Sequence, residues 1–484
     1  AEAFSSRVVY DASTCRVDQR DLGFVTIDGK TARDFDDAIF AKSNGDGSWQ
    51  VYVAIADVAH YVRPGSAIDQ EAYLRGTSVY FPTHAIPMLP ENLSNNLCSL
   101  KPDVNRFTLT CEMLIDSTGW VQSYRIYESV IRSRARLVYD DVAEFLDAGQ
   151  TRTIRNKEIL DNLIVMNEVA KALQEKRTKR GAINFNFAEQ RIELDDQNQM
   201  MGVSKRFQSS SMKLIEQFML EANETVAKHC TGNRLPALYR VHGSPDLSKL
   251  ERLKKVFQRF NIPVSPNSLS DSGQFNKVLE SIENLTNKNQ LQIILLRSMA
   301  LATYETDNQG HFGLGAKYYS HFTSPIRRYP DLVTHRALKH ELHAKLGIRS
   351  SPNSNPSMLM AEYLSEQERR AEKAESESIN LMKVNFMEKF IGQTLEGQIV
   401  STENNGFRVE LLPHEIDWFI PVEALKDDNY IFDEINLVLQ GRRTKRILGA
   451  EDKVELRLTR ADTLHRLMEF DILGYSPKPP SSQD

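Results

Sequence analysis

The chain has 484 residues, of which 41% are hydrophobic and 26% charged; that balance suits about two or three water-soluble globular domains and excludes a disordered or collagen-like chain. Sixty basic against 65 acidic side chains give a net charge of −5, so a global basic field is excluded as the means of attracting nucleic acid, and any such binding must be local or metal-assisted. No uninterrupted apolar run of about 18 residues occurs and the opening AEAFSSRVVY lacks a charged-then-apolar leader, which leads us to expect a cytoplasmic protein with no membrane span.

Residues 1–20 read as an irregular lead-in. GFVTI at 23–27 is a short β-branched strand running straight into acid-rich sequence, and WQVYVAIA at 49–56, after the turn NGDG at 44–47, is a second strand that makes a hairpin plausible. FTLTCEMLI and WVQSYRIYESV, spanning 107–130, alternate around STG as another hairpin. Helical spacing follows at 157–178 and from Met212 to His229, where Leu214, Ile215, Phe218, Met219 and Ala222 recur on one face. Further helices are predicted near 247–260, 275–285, 289–304, 328–345 and 357–389, the last with EQERRAEKAESES on its solvent side. GIRSSPNSNPS, around 346–357, is a loop. Near 390 the pattern changes to short strands, TLEGQIV, GFRVEL, DWFIPV and KVELRLTR, spaced like a small β-barrel of the OB class. The expected organisation is α+β: a catalytic region at 21–390, a barrel at 391–474 and a disordered Pro/Ser-rich tail from Tyr475.

IDGKTARDFDDA places Asp28, Asp34, Asp36 and Asp37 within ten residues, directly after a strand. Crowded carboxylates repel unless they are solvated, protonated or bound to a cation, and hard oxygen ligands suit Mg2+ or Mn2+. A solvated acidic turn is the plainer reading, but Val25, Ile27, Phe35, Ala38, Ile39 and Phe40 surround the acids, and a free loop rarely needs them. In HFGLGAKYYSHFTSPIRRYPDL, at 311–332, a Gly-punctuated loop leads through Ser-Pro to Arg327 and Arg328. Paired guanidinium groups can clamp phosphate, though both could equally be surface arginines. Ser324 and Pro325 are expected at the N-cap and first turn of the next helix. His311, His321, His335, His340 and His343 match no zinc spacing, and Cys15, Cys98, Cys111 and Cys230 read as buried free thiols. No nucleophile elbow or phosphate-binding P-loop occurs.

These residues carry a resemblance. IDGKTARDFDDA, VAIADVAHYV, GTSVYFP, IPMLPENLSNNLCSL, ARLVYDDV, the Leu214 to Asn223 helix and HFTSPIRRYPDL resemble, in order, the ribonuclease II and ribonuclease R family of exoribonucleases, with RDFDDA and HFTSPIRRYPDL closer to ribonuclease R. The likeness covers about Arg16 to Gln393 as the RNB catalytic domain and 391–474 as an S1 RNA-binding domain. It implies processive 3′–5′ hydrolysis of single-stranded RNA to nucleoside 5′-monophosphates with Mg2+, and activity on structured RNA like that of ribonuclease R. It also implies metal-binding roles for Asp28, Asp34 and Asp37, the most critical turnover role for Asp36, and contact of Arg327 with the scissile phosphate. Tyr80 and Phe185 match residues that stack on the last bases, which suits a sequence-tolerant enzyme. Glu375 matches an acidic residue near the RNA. In the barrel, Phe407 and Phe419 are expected to present rings to bases, and Arg442, Arg443, Lys445 and Arg446 to contact the backbone; a solubilising turn is the alternative for the basic run. The family's cold-shock modules would precede the catalytic domain, where only about twenty residues stand here, so we expect either a fragment or processed form or a chain without them. A non-cutting RNA-binding protein would be expected to lose an Asp or Arg327, and a phosphodiesterase for small nucleotides would need neither aromatic stack nor barrel.

Overall fold

Two-residue alternation shapes the first third of the chain into one sheet. Strands β1 (Val17–Asp18), β2 (Val25–Asp28), β3 (Asp37–Ser43) and β4 (Trp49–Ala56) precede the short helices α1 (Val58–Tyr61) and α2 (Ala67–Arg75), the small hairpin β5 (Val79–Tyr80) and β6 (Ala85–Ile86), and the long strands β7 (Asn105–Ile115), β8 (Val121–Arg132) and β9 (Ala135–Val138). Seven of them form a sheet in the order β1-β8-β7-β4-β3-β2-β9. The structure, a computed structural model, describes residues 15–477 apart from 186, 266–268, 284, 286 and 349–354. Most of the expected lead-in, much of the 346–357 loop and most of the expected tail therefore lie outside the described residues.

The hairpin across NGDG is made by β3 and β4, with Asp37 opposite Ile55. The strand at 23–27 was expected to be the partner of β4; it is instead the next strand over, because Ala38, Ile39 and Ala41 are themselves a buried strand. Gly45 and Gly47 take the positive φ angles, 81° and 84°, that the turn demands. β4 is buried on both faces. Val51, Val53 and Ile55 pack with Leu163, Met166 and Phe218, whereas Ala54 and Ala56 face Phe24, Met88 and Leu332.

The first of these layers comes from α3 (Tyr139–Ala148), α4 (Lys157–Arg180) and, after the hairpin β10 (Glu189–Leu194) and β11 (Met200–Arg206), α5 (Ser210–Gly232). Asn156 and Ser209 accept the first free N–H groups of α4 and α5. The two helices are clipped by the buried pair Lys176–Glu221 and by the bidentate pair Arg180–Glu224 at 2.6 and 2.7 Å. After β12 (Tyr239–Val241), three helices, α6 (Leu247–Arg259), α7 (Ser272–Ile282) and α8 (Lys288–Ser298), enclose their own core around Phe257, Phe275 and Leu291. The helix predicted to reach 304 stops at Ser298. Residues 303–305 form β13 (Thr303–Glu305) against β12, and the Tyr304 N–H donates to Ser365 Oγ at 2.8 Å.

α9 (Tyr329–Lys345) and α10 (Met358–Met387) complete the region before the barrel. α9 brings Lys339 to a buried ion cluster, where its Nζ donates to both oxygens of Asp57 at 2.8 and 2.6 Å. Arg16 reaches the same carboxylate at 2.5 Å and Glu128 at 3.0 Å. The end of the expected lead-in is thus built into the fold. The charged run on α10 is not wholly a solvent face either, since Glu368 pairs with Arg240 at 2.5 Å.

The barrel has a sheet in the order β16-β15-β14-β20-β21, from β14 (Thr394–Glu403), β15 (Gly406–Leu412), β16 (Ile416–Pro421), β20 (Lys453–Asp462) and β21 (Leu467–Ser476), with β17 (Tyr430–Asp433), β18 (Val438–Gly441) and β19 (Ile447–Leu448) beside it. β21 runs past Tyr475, the expected start of the tail, because Tyr475 pairs with Val454 and its hydroxyl donates to the Ile447 carbonyl. Phe407 requires a correction: it is fully buried in the barrel core and cannot offer its ring to a base. Register explains this, for Phe407 lies opposite buried Ile420 and Phe419 opposite Arg408 on the other face. Cys15 is likewise exposed, while Cys98, Cys111 and Cys230 are buried. Among the described residues no helix is long and apolar enough to cross a membrane.

Phe407→Ala is expected to destabilise the barrel by about 3–5 kcal/mol, as for other buried Phe truncations, seen as a lower urea midpoint; unchanged stability would place Phe407 outside the core.

Candidate active site

The loop between β2 and β3 carries the acids and is stapled down. Phe35 is buried, its N–H donates to Ser99 Oγ at 3.1 Å, and that hydroxyl donates to the Arg33 carbonyl at 2.7 Å. From β9, Arg136 donates to the carbonyls of Gly29 and Lys30 at 2.5 and 2.8 Å and lies over the Phe35 ring. A solvated turn is thereby excluded. Asp28 ends β2, Asp37 opens β3, and Asp36, 5% exposed, accepts the Ile326 N–H at 2.8 Å.

That last bond joins the acids to the opposite wall. There Asn223 accepts the Phe322 N–H at 2.9 Å and Asp331 the Ser324 N–H at 2.8 Å, while the Arg327 carbonyl accepts the Ser78 N–H at 2.9 Å. Because Asp331 and Asp36 take these N–H groups, residues 324–328 stay outside the helix. α9 starts only at Tyr329, and Ser324 is not its N-cap as expected. Its hydroxyl instead accepts from Arg327 Nη2 at 3.1 Å.

Asp28, Asp34, Asp36, Asp37 and Arg327 line one cavity of about 270 Å³. Burial, and then the charges of Asp37 and Asp34, push the Asp28 carboxyl up to about 8, against the pull of Arg136 and Arg327. Burial raises Asp37 to about 6 and Asp36 well above the usual carboxyl range, with Arg327 opposing both shifts. One oxygen of Asp28 is buried with no hydrogen-bond partner. Crowded hard oxygens with an orphan among them fit a divalent cation, which would remove the repulsion. Among the described residues no three carboxylate, imidazole or thiolate groups already converge in metal-ligand geometry; the acids share a cavity without closing on one point.

Tyr80 is 42% exposed with its hydroxyl 3.5 Å from Asp34, and its backbone N–H donates to Glu375 at 2.6 Å. The structure thus gathers Tyr80 and Glu375 beside the acids. Phe185 is not on the cavity wall: half-buried, it stacks on Phe187 at 5.6 Å and meets Phe275 edge-on. Tyr139, Glu216, Asn223 and Tyr319 do line the cavity and were missed. Two of the motifs quoted from the sequence, ARLVYDDV and the Leu214 to Asn223 helix, contain three of them.

On the barrel, half-buried Phe419 faces outward opposite Arg408. Arg442, Arg443, Lys445 and Arg446 occupy an exposed loop whose backbone is fixed by Asp428, which accepts the N–H groups of Arg443 and Thr444 at 2.9 and 2.6 Å. Arg446 pairs with Asp427 at 2.6 Å and Arg443 donates to the Asp427 carbonyl at 3.0 Å. Among the described residues, the side chains of Arg442 and Lys445 have no such partner.

A family model for the RNB domain matches residues 16–344, and one for the S1 RNA binding domain matches residues 388–462. Ribonuclease R of Escherichia coli (strain K12) is 36% identical over 477 residues, 97% of this chain and 59% of that protein; the chain thus spans about three fifths of that relative's length. Mycoplasma genitalium RNase R in complex with ribose methylated single-stranded RNA superimposes with a TM-score of 0.88 at 30% identity, covering 96% of this chain and 74% of that one. The same enzyme with double-stranded RNA gives 0.83 at 29% identity, covering 96% and 78%.

The raised carboxyls give a signed expectation. Protonated Asp28 and Asp37 suit the fold better than their charged forms, so without metal their contribution is complete below 3.8, the ordinary carboxyl value, and is lost as pH rises through about 6 and then about 8. The melting temperature of metal-free protein is expected to fall over this range; Asp28→Asn should flatten the fall, and Mg2+ should restore the temperature at pH 8. A melting temperature that is flat with pH and indifferent to Mg2+ would contradict the cluster.

Proposed function

Because this chain belongs to the RNB-domain family, which includes ribonuclease R, we propose that it is a processive, hydrolytic exoribonuclease that shortens single-stranded RNA from its 3′ end to nucleoside 5′-monophosphates. Four aspartates and Arg327 sharing one cavity is the observation that carries this reading. Asp28, Asp34 and Asp37 would hold Mg2+, with Mn2+ as an alternative. Bound there, such ions acidify a water and neutralise charge on the leaving oxygen.

The chain's own groups supply the rest. Asp36, tied at one oxygen to Ile326, has its other oxygen left to orient the attacking water. Arg327, braced by Ser324, offsets charge as oxygen adds to phosphorus. The bond from phosphorus to the 3′ oxygen breaks; the phosphate leaves on the released nucleotide and the shortened strand keeps a 3′ hydroxyl. Tyr80 offers a face to the terminal base, and Phe185 one further along the strand. Glu375 steadies Tyr80 through its backbone. Phe419, with Arg442 and Lys445, guides the incoming strand across the barrel, and the engaged pair Arg443 and Arg446 plays a lesser part. A relative solved with double-stranded RNA supports extending the activity to structured RNA. Four free thiols suit a reducing compartment, the cytoplasm.

With 5′-labelled oligo(A) and Mg2+ the protein should yield a descending ladder ending in a short limit product. Asp36→Asn should slow release by about 100-fold or more while retaining a shifted RNA band; normal turnover by this variant refutes the assignment. Removing Arg442 and Lys445 together should lower the slope of log affinity against log salt by about 0.7 per lost contact. Removing Arg443 and Arg446 should change it less, and equal slopes for the two variants would remove the distinction.

A further inference from the structure

Arg328 has no part in this scheme, yet it lines the same cavity as Arg327 and the acids. The two neighbours serve different ends of it. Arg327 exerts its charge on Asp28, Asp36 and Asp37, whereas Arg328 bears on Tyr304 and Tyr319, and both reach His321. The Arg328 backbone is extended, with φ −132° and ψ 122°, and bridges Thr77, so adjoining side chains leave on opposite sides.

One donor of the Arg328 guanidinium is tied down. Nη2 donates to Asp331 Oδ1 at 2.8 Å, and Asp331, wholly buried, is itself fixed by the Ser324 N–H. Nε is buried without a partner. Nη1 has no partner among the described residues, and the side chain keeps 16% of its exposure. At this pole the Tyr304 hydroxyl bonds His321 Nδ1 at 2.8 Å and the Tyr319 ring lies edge-on to His321, while Arg240, paired with Glu368, lies over the Tyr304 ring at 4.8 Å and adds a second positive charge. A guanidinium held at one donor, with another left free on a cavity wall, is a partly preorganised receptor for an anion.

We propose that Arg328 grips the phosphate adjacent to the scissile one and so sets the register that brings the scissile phosphate to Arg327 and the acids. This rests on the exoribonuclease reading. A strand cut at its 3′-terminal linkage has no phosphate on the 3′ side, so the receptor takes the 5′ neighbour. Arg328 is then a substrate contact that acts by placement, while Arg327 and Asp36 act on the reacting atoms.

The test pairs a residue change with a substrate change. Oligo(A) is prepared unmodified, with a neutral methylphosphonate at the second linkage from the 3′ end, or with the same group four linkages further in. First-turnover release with Mg2+ is measured for the wild type, Arg328→Met and Arg328→Lys, each checked by thermal melting. Losing one charge-assisted contact should lower kcat/KM about 10- to 100-fold, whether the charge is removed from RNA or from protein. For Arg328→Met the neutral second linkage should cost almost nothing more, because the partner is already gone. Arg328→Lys should recover part of the loss on unmodified RNA. The distant methylphosphonate should affect all three proteins alike.

Independent, multiplying losses would mean that Arg328 works only through Asp331 and its loop, which overturns the proposal. So would a wild type indifferent to the neutral second linkage, a result that needs no variant and stands even if Arg328→Met fails to fold. Failure of the wild type to shorten unmodified oligo(A) would instead sink the exoribonuclease reading beneath it.

Discussion

Four carboxylates on the wall of one cavity repel one another, and the structure around them is organised to keep them there. Left to themselves they would swing into water or take up protons, and the raised Asp28, Asp36 and Asp37 carboxyls record that tendency. What prevents escape is the backbone. Ser99, Arg136 and the buried Phe35 ring hold the loop between β2 and β3 from three directions. The site is therefore poised: its electrostatic cost is built into the fold and is relieved by the charges of Arg136 and Arg327, by protonation, or by a bound cation.

The opposite wall uses the same device in reverse. A segment with unspent N–H groups is pinned by buried acceptors on three elements, Asn223 on α5, Asp331 on α9 and Asp36 on the acid loop. The Asp36 bond matters most for geometry, since it ties the acid wall to the arginine wall across a sequence separation of 290 residues. It gives a physical reason for Asp36 to differ in role from its neighbours: one of its oxygens belongs to the scaffold.

The family likeness and the geometry bear on different matters. Matches over residues 16–344 and 388–462 place the chain among RNB-domain proteins, but they do not say what each side chain does. The cavity distinguishes Arg327 from Arg328, neighbours in one motif that differ in the groups they face. The barrel likewise separates basic side chains already bonded at Asp427 from those without such a partner.

The sequence by itself determined the kinds of element and the presence of the acid cluster, because hydrophobic period and residue type are local properties. Helices at 157–180 and 210–232 and the barrel strands were legible in this way. The tertiary structure decided what depends on pairing. It made 37–43 the partner of 49–56, turned Phe407 inward and Phe419 outward by register, and ended a helix at Ser298 so that Thr303–Glu305 could complete a hairpin. It also kept residues 324–328 out of α9 and set Glu375 on the Tyr80 backbone. Each of these rests on a hydrogen bond or strand register between residues far apart in the chain, and no period within a local window encodes which distant donor a buried acceptor will meet.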